Sequence, residues 1–243
     1  MKQLMVVLCS CGLLMLSHPL LSADLMFQGN DLFNSGKQNI ENYRTSGDLF
    51  VKETQANPRN YEAAWKAARS YRYYADETKK KNVANWKAIC KEYGKLGMMY
   101  GEKAIALNQN GVEGNTWFGF SVASYADSVS VLTALKEGLK DKTQKSFEKA
   151  YSINKKYENG GPIKALGRFW FVLPWPLQDK KLSLKYMKEF QALYPDDPEG
   201  LVYLAEVLIK TGSKEEARSV LLKTVNSNDK YYADWAKRLL ADL

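Results

Sequence analysis

NGGPIKALGRFWFVLPWPLQDKKLSLKYMKEFQALYPDDPEGLVYLAEVLIKTGSKEEARSVLLKTVNSND, residues 159–229, holds two successive copies of one helical pattern. Leu166-Gly167 recurs as Leu204-Ala205. Ser183, Met187, Phe190 and Pro195 recur as Ala217, Leu221, Thr224 and Asp229, each 34 residues further on. In each copy a large apolar residue followed by a small one marks a first helix, and spacings of four and three mark a second. Those spacings place the side chains on one helical face. A hairpin of two such helices keeps an apolar surface that only the next hairpin covers, so the pattern predicts a solenoid.

The 34-residue step is that of the tetratricopeptide repeat, and looser copies extend upstream. A first hairpin spans residues 24–57, with Gly29 at a helix contact, Gly36 at a turn and Asn57-Pro58 as the stop. A second begins at Tyr61, carries Ala67-Ala68 at its close contact, and returns from Trp86 to Leu107. The third places Phe118-Gly119 at the contact and closes with Phe147, Ala150 and Asn154, with extra residues between its helices. The fourth opens at Gly160-Gly161-Pro162, a bend followed by a residue suited to a first helical turn. Pro174-Trp175-Pro176 forms a rigid loop between its two helices. The fifth runs over residues 198–227, turning at Thr211-Gly212-Ser213. Residues 229–243 read as one last helix that covers the final hairpin. The prediction is all-α: a single tetratricopeptide-like helical-hairpin solenoid over residues 24–243, with five irregular pairs and a C-terminal capping helix.

The first residues read as an export signal. Lys2 precedes an apolar run over residues 4–16, and Leu21-Ser22-Ala23 offers a small residue for cleavage before Asp24. The run is shorter than the roughly 20 apolar residues of a membrane span. Residues 1–23 are therefore expected to be a cleavable signal peptide and the mature chain periplasmic. A rival reading is a lipoprotein signal at Leu8-Cys9-Ser10-Cys11, but the run ahead of Cys11 is too short for a signal core.

Cleavage would remove His18, the single histidine, together with Cys9 and Cys11, leaving Cys90 alone. Such a chain can form no internal disulfide, no zinc site of the usual His/Cys type and no Ser-His-Asp or Cys-His catalytic set. Cys90, inside a helical stretch, reads as a small buried hydrophobe. The net charge of +8 points, outside the cytosol, to acidic partners, anionic ligands or lipid head groups rather than nucleic acid. The lysine-rich stretch over residues 136–156 is interrupted by Glu137, Asp141 and Glu148 and reads as a solvated helix face.

Gly160-Gly161-Pro162, Leu166-Gly167-Arg168-Phe169, Leu173-Pro174-Trp175-Pro176 and Lys180-Lys181 leading to Tyr186 resemble the tetratricopeptide T-components associated with TRAP transporters. The resemblance reaches back through Trp117-Phe118-Gly119 and residues 101–108 and forward to Ala217. It implies an exported helical-repeat protein that partners the periplasmic solute-binding P-component of a carboxylate uptake system. It also implies passage of a small carboxylate or lipid-like ligand, and a homotrimer. The chain departs from the family in lacking a convincing lipobox.

In repeats of this type the first helix of each pair lines the concave face. Aligning on Ala68, Gly119, Gly167 and Ala205 nominates Trp65, Arg69, Arg72 and Tyr73, then Thr116 and Phe120, then Lys164, Arg168 and Phe171, then Val202 and Glu206. Four cations among aromatic rings suit an amphipathic carboxylate or an acidic protein patch. The aromatic residues equally suit packing between hairpins. Trp175, held by two prolines, is a second candidate contact. No cofactor or metal is expected. Asp196-Asp197 and Glu215-Glu216 are neighbours in sequence at helix starts, where carboxylates serve as caps rather than as a facing acid and base. No phosphate loop or nucleophile elbow is present. The expectation is a non-enzymatic binding scaffold, either the transport component above or a general envelope scaffold.

Overall fold

The computed structural model describes residues 17–243. Twelve helices follow one another among them: α1 Ser17–Asn34, α2 Glu41–Ala56, α3 Tyr61–Lys80, α4 Trp86–Leu107, α5 Val112–Ala126, α6 Val131–Lys136, α7 Leu139–Asn154, α8 Tyr157–Val172, α9 Lys180–Leu193, α10 Pro198–Lys210, α11 Lys214–Thr224 and α12 Lys230–Ala241. Residues 1–16 of the expected leader lie outside the described span. Residues 17–23 are the first turns of α1, which runs on through the expected cleavage point, and Ser22 donates to the buried carboxylate of Glu53 at 2.7 Å.

Five hairpins and a closing helix are thus present, as the repeat pattern requires. Helices α3, α5, α8, α10 and α12 touch in succession and form the inner row, while α2, α4, α7, α9 and α11 pack behind. The positions that recur in sequence do the stacking. Leu166, Leu204, Met187, Leu221, Ala205 and Ala217 are fully buried, and each of the leucines contributes roughly 2 kcal/mol by leaving water. The last hairpin and α12 share one apolar cluster in which Tyr232 and Ala236 cover Leu204 and Leu208.

Between α4 and α5 the backbones themselves come close. Gly94, Gly97, Gly101 and Ala104 are all buried on one face of α4. A Cβ on Gly94 would stand 2.8 Å from the backbone nitrogen of Tyr125, and one on Gly101 would stand 2.8 Å from the Cα of Phe118. Glycine there sets the distance between two repeats.

The two sharp bends follow from local chemistry. At the start of α8, Glu158, Asn159 and Gly160 have φ of 48, 51 and 76°, so the chain turns left-handed before Pro162 opens the regular helix. At Gly212 φ is 88°, the left-handed stop that glycine supplies without a Cβ clash. Asp179, Asp197 and Asp229 each cap a following helix by accepting from a backbone N–H. Glu215 and Glu216 stand in the first turn of α11, where a negative charge suits the helix dipole.

Candidate functional site: the concave cavity

The inner row encloses a cavity of about 560 Å³, within the range of small-ligand and peptide pockets. Its two walls differ. One is apolar: Phe120 and Ala123 of α5, Val131 and Leu135 of α6, Leu139 and Phe147 of α7, and Phe169 and Val172 of α8. The other is polar: Arg72, Asp76 and Lys80 of α3, Lys164 and Arg168 of α8, Glu199 and Tyr203 of α10, and Tyr232 and Trp235 of α12.

On the polar wall every cation has a carboxylate. Arg72 meets Asp76 at 2.8 Å, and Lys80 meets the same carboxylate at 3.0 Å. Lys164 lies 2.7 Å from Glu199 and 3.3 Å from Asp197. Arg168 pairs with Glu206 and also stacks 4.4 Å over the ring of Tyr203. Burial alone would raise the Asp76 carboxyl, but Arg72 and Lys80 outweigh it and hold the group below the usual carboxylate range. Glu199 is depressed in the same way, with burial overcome by Lys164 and Lys80. Burial works against the Lys164 ammonium, but Glu199 and Asp197 overcome it and raise its pKa. At Glu206 burial wins, and the carboxyl sits above its ordinary value even with Arg168 beside it.

Five of the residues nominated from sequence meet around this cavity: Arg72, Tyr73, Phe120, Lys164 and Arg168. Four lie outside its lining. Phe171 packs against the C-terminal core cluster. Trp175 stands 90% exposed in its loop. Trp65 and Arg69 lie further toward the start of α3, where the Arg69 guanidinium is 5.1 Å from the Trp65 ring centre and 3.6 Å from that of Phe33. Thr116 and Val202, also nominated as inward, are fully buried. Each sits a residue from the true inner stripe and packs between helices instead.

The arrangement also corrects the anion-binding expectation for the cavity, because Arg72, Lys164 and Arg168 are already neutralised within the chain. Glu206, the partner of Arg168, is among the residues nominated from sequence, whereas Asp76 and Glu199 escape a reading confined to cations and rings. Asp76 and Lys80 follow Arg72 at steps of four along α3, so helical periodicity alone places them on its face. Glu199 carried no such signal, because its role depends on how α10 meets α8. Cys90 is buried as expected, with its Sγ 3.3 Å from the carbonyl of Ala75, and burial pushes the thiol up to about 11.

A row of stacked hairpins with a lined concave cavity defines a tetratricopeptide-type scaffold. Within that class the chain belongs to the family described as Regulator of microtubule dynamics protein 1-3, whose model matches residues 25–173. Solved structures share the fold at low identity. A thermophilic TPR protein of Thermus thermophilus has a TM-score of 0.61 at 18% identity, over 90% of this chain and 99% of that one. The pilF protein of Pseudomonas aeruginosa gives 0.59 at 13%, over 93% and 90%. MamA gives 0.53 at 12%, over 85% and 91%. No curated protein matches the sequence.

Proposed function

We propose that this chain is a non-enzymatic interaction scaffold whose concave cavity receives an apolar-anchored segment of a partner protein. The observation that carries this reading is the mismatch of the two walls. The polar wall is internally charge-balanced, whereas the apolar wall continues outward to side chains left in water: Val131, Leu132, Leu135 and Val172 are 47 to 62% exposed. Exposed apolar surface beside a cavity is characteristic of a docking site. A Leu135→Asp substitution tests it, since the side chain is exposed and its loss leaves the core intact. Capture of a partner by the wild type and not by this folded variant supports the reading; equal capture overturns it.

In its finer form, the scaffold is an exported periplasmic component that docks the solute-binding protein of a TRAP-type carboxylate uptake system. Support comes from the run that carries that resemblance, because Gly161, Arg168, Phe169, Leu173 and Pro174 all line the cavity. Recovery of a solute-binding protein from periplasmic extract favours this form. Recovery of only outer-membrane assembly factors favours a general envelope scaffold.

The family match favours a second reading, a scaffold acting on microtubules, which co-sedimentation with polymerised tubulin tests. The two readings put the chain on opposite sides of a membrane, so fractionation separates them.

A further inference from the structure

The lysines of α7 and its end divide into two kinds. Lys140 and Lys155 meet Asp141 at 3.2 Å and Glu189 at 2.8 Å. Lys142, Lys145 and Lys149 pair with no carboxylate among the described residues, and Lys149 donates instead to the neutral Asn110 Oδ1 at 2.8 Å. Steps of three and four put these ammonium groups on one face of the helix, where like charges repel. The acidic residues that interrupt them in sequence are turned to other partners. Asp141 accepts from Lys140, and Glu148 accepts from Gln144 at 2.9 Å. An anion seated on this face relieves the repulsion.

The same three lysines line a groove of about 400 Å³ between the end of α4, α5 and α7, together with the apolar Ile105 and Phe118 and the amide of Gln109. No carboxylate of the described residues lines it, Glu102 one turn before Ile105 on α4 included. The groove is separate from the concave cavity. Phe118 lines the groove and Phe120 the cavity, and residues two apart on a helix point roughly 200° apart around it. The polar wall of the cavity is matched cation to carboxylate, so the excess behind the net charge of +8 lies on surfaces such as this one. Ammonium groups are point charges on flexible stems, and they converge on a group that offers several charged oxygens, as a phosphate does.

We propose that this groove binds a phosphorylated compound, its phosphate held by Lys142, Lys145 and Lys149 and its apolar part laid on Ile105 and Phe118. The site goes beyond the scaffold reading and is independent of what fills the cavity.

The test is isothermal titration calorimetry with inorganic diphosphate and hexyl diphosphate, beside flotation with phosphatidylglycerol and phosphatidylcholine vesicles. The groove variant carries Lys142→Gln, Lys145→Gln and Lys149→Gln together, and a second variant carries arginine at the same three positions. A control carries Lys181→Gln, Lys185→Gln and Lys223→Gln, which removes equal charge from exposed positions of α9 and α11. All are compared with the wild type after circular dichroism shows equal helicity. The probe that binds the wild type should lose about 10-fold or more in affinity in the groove variant. The arginine variant and the control should keep most of it, and Leu135→Asp at the cavity mouth should change nothing. Hexyl diphosphate should bind more tightly than diphosphate. Lysine-dependent binding of the soluble diphosphates assigns the phosphate to a soluble ligand, and lysine-dependent flotation with phosphatidylglycerol vesicles alone assigns it to a lipid headgroup. Equal losses in the groove variant and the control overturn the site in favour of general charge attraction. Equal affinity for the two diphosphates overturns the apolar contact, and failure of every probe to bind the wild type overturns the proposal.

Discussion

Single residues set the spacing and the chemistry of the inner row. Gly101, like Gly94, faces backbone, because the atom its Cβ would meet is the Cα of Phe118 at 2.8 Å. Backbone cannot rotate aside, so Gly101→Ala should part α4 from α5 and cost about 1–3 kcal/mol in denaturant unfolding. The gain in helix propensity, under about 1 kcal/mol, does not offset it. Arg72 illustrates why charge reversal is a poor probe of binding here. Its guanidinium is paired with Asp76 at 18% and 20% side-chain exposure. Arg72→Glu sets two carboxylates together and should destabilise the chain by about 3 kcal/mol, lowering the thermal midpoint before any ligand is added. Cys90 should behave as packing, not chemistry. With the thiol pushed up to about 11 and 1% exposed, labelling by a disulfide reagent at neutral pH should wait on unfolding and keep pace with it.

At the scale of helices, the repeat was legible wherever one hairpin copies another. The small-residue contact recurs at 38 residues, Gly167 to Ala205, while Met187 and Leu221 recur at 34. The helices explain the difference. Seven residues join α8 to α9 and three join α10 to α11, so the Pro-Trp-Pro loop supplies the missing four. Helix α6 was illegible for the opposite reason: it is an insertion without a copy elsewhere, too short for periodicity to declare it, yet it brings Val131 and Leu135 to the cavity. On α3 Arg72 and Tyr73 line the cavity, whereas Val202 of α10 packs between helices, because no single helix reveals how far its neighbours wrap around it. Helix α12 was legible as a cap from its rings and is started by Asp229, whose carboxylate accepts from the backbone N–H of Tyr231 at 3.1 Å and Tyr232 at 3.4 Å. Asp229→Ala should lower stability by about 1 kcal/mol. Amide exchange should speed up first in α12, as expected where the terminal unit of a solenoid frays.

Across the whole molecule, charge ties repeats that are far apart in sequence. Asp76 and Lys80 come from the second hairpin and Lys164 from the fourth. Glu199 comes from the fifth, and Lys80 also lies 5.4 Å from the ring of Tyr232 in the cap. The pH dependence of stability follows from the directions of the shifts. Asp76 and Glu199 have folded-state pKa values below their ordinary 3.8 and 4.5. The stability they contribute is present above those ordinary values and is lost as pH falls toward the depressed ones. Lys80 and Lys164 are raised above 10.5, so their contribution is present below that value and is lost as pH rises through the raised ones. Both limbs place the plateau between about pH 5 and pH 10, with the acid limb set by Asp76, paired along α3, and by Glu199, which joins α10 to α8. Glu199→Gln should therefore lower the thermal midpoint at neutral pH and flatten its fall below pH 4.5, the ordinary value for Glu199. A pH series of melting curves checks both. A wild type that melts at the same temperature on either side of the ordinary carboxylate range would mean that repeat stacking holds the cavity closed without this network.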